Sequence, residues 1–195
     1  MGEAALDHRL SVEAYLAMEA EAELRHEYHA GEIFAMAGGT RRHGKLGANL
    51  ITELTLIERK NGCTTFNGDV RVWIGQDKRF LYPEASVVCG EVEPSPEDTE
   101  SITNPILVAE VLSESSEAYD RGKKFAYYRS LPSLREYALI DQQQPLVEIF
   151  YRRSDNVWEM REVRGLDQTI QLQSLEAEIK MADLYRNVEE LEGLD

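Results

Sequence analysis

The chain has 195 residues, 43% of them hydrophobic and 29% charged, which is enough to bury the core of one domain. No apolar run approaches the roughly 20 residues that span a bilayer, and residues 1–10 lack the basic start and apolar stretch of a secretory signal. We therefore expect a cytoplasmic protein with no membrane segment. We predict a single domain over residues 1–195, with ends at 1–10 and 187–195 that fray.

The net charge of −15 argues against a general nucleic-acid coat protein, because binding along a phosphate backbone requires basic surface. The acidic residues are unevenly distributed, however. Residues 1–36, 91–120 and 176–195 carry the negative charge, whereas residues 37–90 and 121–175 have a small positive excess. This distribution is compatible with a cleft lined by basic residues, despite the negative net charge.

The two cysteines are far apart in the sequence and have no His or Cys neighbour at metal-ligand spacing. Neither a zinc site nor a disulfide framework is predicted. Cys63 and Cys89 each fall in a strand-like run, so we interpret both as buried thiols.

The N-terminal part of the chain predicts a helix followed by a hairpin. Ser11 is a typical N-cap residue, and Glu13 in the first turn suits the positive end of the helix dipole. Residues 25–36 then alternate apolar with polar side chains around Ala30 and Gly31, a pattern typical of a tight β-turn.

Residues 40–61 predict a long amphipathic helix that stops before Gly62. Its apolar stripe consists of Leu46, Leu50, Leu54 and Ile57. His43 lies in the first turn, flanked by Arg41, Arg42 and Lys45. This helix start could present cations and backbone N–H groups to an anion, and an equally good reading is a solvated helix end.

The middle of the chain predicts short strands at residues 63–66, 70–74, 80–89 and 102–112. Residues 91–101 contain two prolines and five acids with no base, which predicts an exposed loop. Residues 113–118 predict a turn, and residues 120–124 a loop that enters a helix carrying Phe125 and Tyr128.

The C-terminal part predicts three further strands, at residues 135–141, 146–152 and 157–163, which form an antiparallel meander. Residues 172–185 predict a polar run that ends in a short helix. The most economical packing of all these elements is a mixed sheet flanked by helices, of the α/β or α+β class.

Two of the predicted strands each carry a carboxylate. Glu84 follows Pro83 in the first, and Glu110 follows an apolar stretch in the second. Neighbouring strands would bring the acids together as a hard oxygen site for Mg²⁺ or Mn²⁺, with a lysine supplied from the helix entered by residues 120–124. Such a site suits phosphodiester hydrolysis, although salt bridges and turns explain the same residues.

Other hydrolytic sites have less support. Paired carboxylates also suit glycosidases, but only 8% of the residues are aromatic and sugar platforms are few. The chain has no Gly-x-Ser-x-Gly elbow, and its four histidines all lie in the first quarter, which argues against a Ser/His/Asp hydrolase. No Gly-rich phosphate loop is present either.

Several short motifs occur together in one order. They are Ser11-Val12-Glu13-Ala14-Tyr15-Leu16, Arg25-His26-Glu27-Tyr28, Gly31-Glu32-Ile33, Met36-Ala37-Gly38-Gly39 before His43, Asp69-Val70-Arg71-Val72, Tyr82-Pro83-Glu84, Val108-Ala109-Glu110-Val111-Leu112-Ser113, Tyr119-Asp120-Arg121-Gly122 before Lys124-Phe125-Ala126-Tyr127-Tyr128, and Pro132-Ser133-Leu134-Arg135-Glu136-Tyr137. In these motifs the chain resembles the Uma family of restriction endonuclease-like proteins, within the PD-(D/E)XK nuclease superfamily.

The resemblance implies an α/β, restriction endonuclease-like fold whose mixed central sheet carries the acids. It implies that Glu84 and Glu110 bind a metal, Mg²⁺ or its substitute Mn²⁺. The superfamily's lysine usually lies two residues after the second acid, where this chain has Leu112. The resemblance therefore implies that Lys124 takes the part of the superfamily's lysine, with Lys123 as second choice.

The resemblance adds three further candidate residues. Glu27 resembles an acid that often completes the metal site, and His43 and Asp69 match polar positions directed at the site. It implies cleavage of DNA, and by analogy a homodimer, because two strands must be cut. The family usually has Asp where this chain has Glu84, so the alternative is a weakened or inactive nuclease fold that serves as a binding or regulatory module.

Overall fold

The structure is a computed structural model that describes residues 9–36, 38–114 and 116–188. The predicted frayed ends, 1–10 and 187–195, lie mostly outside these residues. The elements are α1 (Val12–Glu21), β1 (His26–His29), β2 (Glu32–Ala35), α2 (Arg41–Asn61), β3 (Cys63–Asn67), β4 (Val72–Ile74), β5 (Arg79–Leu81), β6 (Ala85–Cys89), β7 (Leu107–Leu112), α3 (Glu117–Tyr119), α4 (Phe125–Tyr128), β8 (Glu136–Asp141), β9 (Leu146–Arg152), β10 (Trp158–Arg164), β11 (Thr169–Leu172), β12 (Ala177–Lys180) and α5 (Met181–Leu184).

A six-stranded mixed sheet forms the centre of the fold, in the order β10-β9-β8-β7-β6-β3. Only β7 and β8 are parallel, and residues 117–128 connect them as a helical crossover. The apolar stripe of α2 packs on one face of this sheet, and the helical crossover packs on the other. The predicted α/β fold with a mixed central sheet is confirmed, and β8, β9 and β10 form the predicted meander.

A second sheet of four strands, in the order β2-β1-β5-β4, stands beside the first. The hairpin of β1 and β2 turns at Ala30 and Gly31, which both have positive φ as a primed turn requires. Its inner face packs in an aromatic cluster made of Tyr15, Tyr28, Trp73 and Phe80. This sheet brings β1 close to the central sheet.

Helix α2 begins and ends as the sequence predicts. The Thr40 hydroxyl accepts a hydrogen bond from the His43 backbone N–H at 3.1 Å, and Gly62 closes the helix in the left-handed conformation. The cap stabilises the first turn of α2, which carries His43.

Two predicted strands are wrong in extent. The predicted strand 80–89 is in fact two strands in different sheets, because the chain crosses between the sheets at Pro83, which has no backbone N–H to pair. The predicted strand 102–112 is regular only over β7. Ile102 makes isolated bridges to Val72 and Pro94, and Pro105 separates it from the sheet.

Three other predictions also need correction. Residues 120–124, predicted as a loop, form a π-helical turn in which the Asp120 carbonyl accepts from the Tyr137 hydroxyl. The polar run 172–185 contains the second strand of a hairpin, β11-β12. The loop 91–101 is not wholly exposed, because Arg71 binds Asp98 at 2.6 Å and Ser101 is buried.

The interpretation of Cys63 and Cys89 as thiols is wrong, because the two residues form a disulfide. They are directly opposite one another in the antiparallel register of β3 and β6. The long separation along the sequence hid this pairing, since only the strand register brings the two sulfur atoms together.

Among the helices of the described residues, none is both long enough and apolar enough to cross a membrane.

Candidate functional site

A broad cleft of about 1910 Å³ opens between the β1-β2 hairpin, the first turns of α2 and the ends of β6 and β7. Residues of both charges line it. The cationic ones are Arg9, Arg25, Arg42, Arg79, Lys123 and Lys124. Five of the six candidate residues from the sequence meet around its floor, and the sixth, Asp69, lies at its margin.

The strand register explains why the two principal acids meet. Ala85 of β6 pairs with Ala109 of β7, and continuing this antiparallel register by one residue brings Glu84 opposite Glu110. The backbone N–H of Glu84 donates to Glu110 Oε2 at 3.4 Å. Glu84 thus stands at the crossing between the two sheets, and Glu110 lies within the buried strand beside it.

Lys124 reaches Glu110 from the helical crossover. Side chains alternate along β7, so Glu110 shares a face with Val108 and Leu112, and this face packs against residues 117–128. Leu112, at the usual lysine position, is buried in that apolar contact. The Lys124 ammonium lies 2.9 Å from Glu110 Oε1, 3.2 Å from Glu27 Oε1 and 3.7 Å from Asp120 Oδ1.

Burial makes this cluster electrostatically unusual. Loss of solvent raises the pKa of the Glu110 carboxyl to about 8, against the opposing effect of Lys124. Burial alone lowers the pKa of Lys124, but Glu110, Glu27 and Asp120 outweigh it, so the pKa is raised overall. Lys124 is therefore an ammonium at neutral pH. It can orient a water molecule or offset negative charge, but it does not act as a free base.

Glu27 belongs to a hydrogen-bonded group that sequence analysis did not assemble. Its Oε2 lies 3.2 Å from His29 Nε2, and the Tyr119 hydroxyl donates to it at 3.4 Å. Burial raises the pKa of Glu27, but Lys124 and His29 outweigh it and the pKa is lowered overall. Arg79 contacts Nδ1 of His29. The two-residue spacing of Glu27 and His29 on one strand is the signal that could have indicated His29.

Helix α2 supplies the residues that hold Glu84. His43 Nε2 lies 2.7 Å from Glu84 Oε2. One turn further along, Gly47 is so close that a Cβ atom built on it would lie 2.0 Å from Glu84 Oε1. Gly47 therefore leaves the space that the Glu84 carboxylate occupies. No feature of the sequence alone singles out this glycine.

Asp69 is separate from the carboxylates on the cleft floor. It forms an ion pair with Arg25, and its side chain is 56% exposed. Arg25 also donates to the Gly68 carbonyl at 3.3 Å. Asp69 thus fixes an arginine at the margin of the cleft.

The acids fit a hard divalent cation such as Mg²⁺ in their chemistry. Within residues 9–36, 38–114 and 116–188, no group of three or more His, Cys, Asp or Glu side chains has the geometry of a complete metal site. Mg²⁺ usually takes only one or two carboxylates and keeps several waters, so Glu84 and Glu110 are sufficient in number and in ligand type. Glu110 Oε1 is buried, and its partner in the described part of the chain is the Lys124 ammonium.

Comparison with known proteins places this geometry in a family. A family model described as "Uma2: Putative restriction endonuclease" matches residues 12–184. The chain belongs to the Uma2 family. Two uncharacterized proteins of Synechocystis are similar to it, one 35% identical over 80% of this chain and 88% of the relative, the other 32% identical over 92% and 93%. The resemblance seen in the sequence motifs is confirmed.

A solved structure has the same fold. It is described as a putative nuclease belonging to DUF820 from Anabaena variabilis, and it matches with a TM-score of 0.73 over 92% of this chain and 99% of that chain. The two sequences are 15% identical, so this likeness shows the fold alone. A nuclease-like fold is thus established for this Uma2 chain.

Replacing Lys124 by Met leaves Glu27, Glu110 and Asp120 buried without their cation. We expect the free energy of unfolding to fall by about 3–5 kcal/mol, the usual result of breaking a buried ion pair. The measurement is urea unfolding followed by circular dichroism. Lys123→Met is the matched control, because Lys123 is exposed and its replacement should have almost no effect. Equal unfolding midpoints for the two variants would show that Lys124 does not stabilise the buried cluster.

The raised pKa of Glu110 predicts a pH dependence of stability. Between its ordinary value of 4.5 and about 8, the folded chain keeps a proton that the unfolded chain has lost, so stability falls as the pH rises. Glu110→Gln removes this titration. With a chelator present, we expect the stability of the variant relative to wild type to increase with pH, by on the order of 1 kcal/mol per pH unit. Parallel stability curves for both proteins between pH 5 and about 8 would show that Glu110 titrates normally.

Proposed function

We propose that the chain is a Mg²⁺-dependent endonuclease that hydrolyses phosphodiester bonds of DNA, with Mn²⁺ as a possible substitute. The observation that carries the proposal is the position of Glu84 opposite Glu110 on the floor of a cleft, where the Glu84 backbone N–H donates to the Glu110 carboxyl group. The ammonium of Lys124 lies 2.9 Å from Glu110. Membership of the Uma2 family and the nuclease-like fold support the choice of reaction.

In this proposal Glu84 and Glu110 hold the ion. When bound, the ion neutralises the scissile phosphate, lowers the pKa of a water molecule and stabilises the leaving oxygen. Lys124 orients the attacking water and offsets charge that develops on the phosphate. Glu27 and Asp120 position Lys124, because their carboxylates contact its ammonium within the buried cluster.

The remaining candidates have supporting roles. His43 orients the Glu84 carboxylate through their 2.7 Å contact. Asp69 holds Arg25 at the cleft margin, where an arginine can contact a phosphate of the bound strand. Neither residue needs to touch the reacting atoms in order to affect the rate.

Helix α2 accommodates the glutamate that this chain has where the family usually has aspartate. The longer side chain of Glu84 extends toward α2, and Gly47 leaves room for it there. This fit favours a working site over the inactive binding module. The binding module remains the second candidate function because a misplaced carboxylate can bind an ion without supporting turnover.

The central experiment is a cleavage assay on duplex, single-stranded and branched DNA with Mg²⁺, Mn²⁺ or a chelator. We expect cleavage by the wild-type chain to require the divalent ion and to disappear in Glu110→Ala. Equal cleavage by the wild type and the variant would show that Glu110 has no role in the reaction. Calorimetric titration with Mn²⁺ separates the two candidates, because binding without cleavage by the wild type identifies the binding module.

Gly47→Ala tests the fit between α2 and Glu84. The added methyl group displaces the Glu84 carboxylate, and an error of about 1 Å in such a group can cost on the order of 10²-fold in rate. We expect weaker Mn²⁺ binding and a loss of cleavage of that order.

Gly44→Ala is the control, since it lies in the same helix with open space around its Cβ position. Both substitutions favour the helix by about 1 kcal/mol, so only the contact with Glu84 distinguishes them. The same activity in both variants would show that Glu84 does not depend on Gly47.

A further inference from the structure

The β1-β2 hairpin presents an aromatic side chain to the cleft. Phe34 of β2 is the cross-strand partner of Glu27 in β1, and partners in an antiparallel pair project from the same face. Phe34 therefore lies on the side of the hairpin that carries Glu27 and His29. The rings of Phe34 and His29 are perpendicular with their centroids 5.0 Å apart, and Phe34 lines the cleft.

Phe34 does not contribute to the core of the hairpin. The aromatic cluster that stabilises the second sheet forms on the opposite face, around Tyr28. Phe34 is instead 51% exposed, and all four residues of β2 are exposed. The ring of Phe34 is therefore accessible to a ligand in the cleft that it lines.

The surroundings of Phe34 match the chemistry of a nucleic-acid strand. Arg79 lies over the Tyr127 ring at 3.8 Å and contacts His29, whose ring also contacts Phe34. Arg25 and Lys123 line the same cleft. Proteins that bind single strands combine such cations, which follow the phosphates, with aromatic rings on which bases stack.

We propose that Phe34 is a stacking platform for an unpaired nucleobase beside the scissile phosphate. The cleft then prefers single-stranded or locally unpaired nucleic acid to a regular duplex. The reason is that a duplex offers only the edges of its bases to a side chain, whereas an unpaired base offers a whole face. This inference rests on the proposed nuclease function and names the class of substrate for the same site.

A second copy of the chain is the competing occupant, since β2 is an edge strand. The position of Phe34 favours the nucleobase. Phe34 and Met36 line the cleft itself, whereas pairing of two edges would use the backbone of β2 and would not require an aromatic ring in the cleft. The test below includes dimer formation as an outcome.

The experiment measures binding of fluorescently labelled single-stranded and duplex oligonucleotides with Ca²⁺ in place of Mg²⁺, so that cleavage does not interfere. We expect Phe34→Ala to weaken binding of the single strand by about 5- to 150-fold, the usual effect of losing one base-stacking ring, and to leave duplex binding unchanged. Phe34→Trp should retain single-strand binding. A 2-aminopurine base near the cleavage position should lose its fluorescence quenching in Phe34→Ala only.

Ile33→Ala is the matched control, because Ile33 is the neighbouring exposed residue on the opposite face of β2. It should bind both oligonucleotides as the wild type does. Thermal unfolding of each variant checks the fold, and sedimentation checks the oligomeric state. Unchanged single-strand binding in Phe34→Ala, or an equal loss for both oligonucleotides, overturns the stacking role.

Conversion of a dimer to a monomer in Phe34→Ala assigns the ring to a contact between copies and also overturns the inference. The proposed function fails separately. If the wild-type chain shows cleavage that depends on Glu110 but not on Phe34, only the stacking role is lost. If the wild-type chain binds none of the oligonucleotides, both proposals are lost.

Discussion

The buried ammonium of Lys124 is the interaction on which the arrangement of the cleft depends. It joins Glu110 of the central sheet, Glu27 of the second sheet and Asp120 of the helical crossover. One cation thereby holds together the three parts of the structure that meet at the cleft floor. Because burial raises the energy of every unpaired charge, a group of this cluster that is ionised cannot move away from Lys124 without either taking up a proton or finding another cation.

The passage of the chain between two sheets gives the site its second element. Pro83 ends the pairing of the second sheet, and pairing in the central sheet starts only at Ala85. Glu84 therefore lies between two regular strands, where its side chain is not confined to the alternation of a sheet. Its carboxylate is positioned instead by α2, through His43 and the space at Gly47.

The two sides of the cleft consequently differ in character. Glu110 and Lys124 are buried and fixed, whereas Glu84 and His43 are half-buried and can be reached from solvent. The hairpin adds a third kind of surface, in which Phe34 stands beside His29 in a cleft that arginines also line. A buried electrostatic cluster, an accessible carboxylate and an exposed ring together form a cleft suited to a charged substrate with flat aromatic parts.

The sequence by itself determined the elements that local chemistry encodes. The hairpin at Ala30 and Gly31, the helix α2 with its end at Gly62 and the meander of β8, β9 and β10 follow from turn residues, apolar periodicity and alternation. The order of its motifs was also sufficient to identify the family. Glu27, Glu84, Glu110 and Lys124 could be named from that pattern because they lie beside recognisable strands and helices.

Only the tertiary structure decided which groups touch. The division of residues 80–89 between two sheets, the disulfide of Cys63 with Cys89 and the close approach of Gly47 to Glu84 all depend on strand register and helix packing. The same is true of His29 and Tyr119, which join Glu27 from different elements. These contacts connect residues far apart in the chain, and no local propensity records them, because they arise only when separate elements pack together.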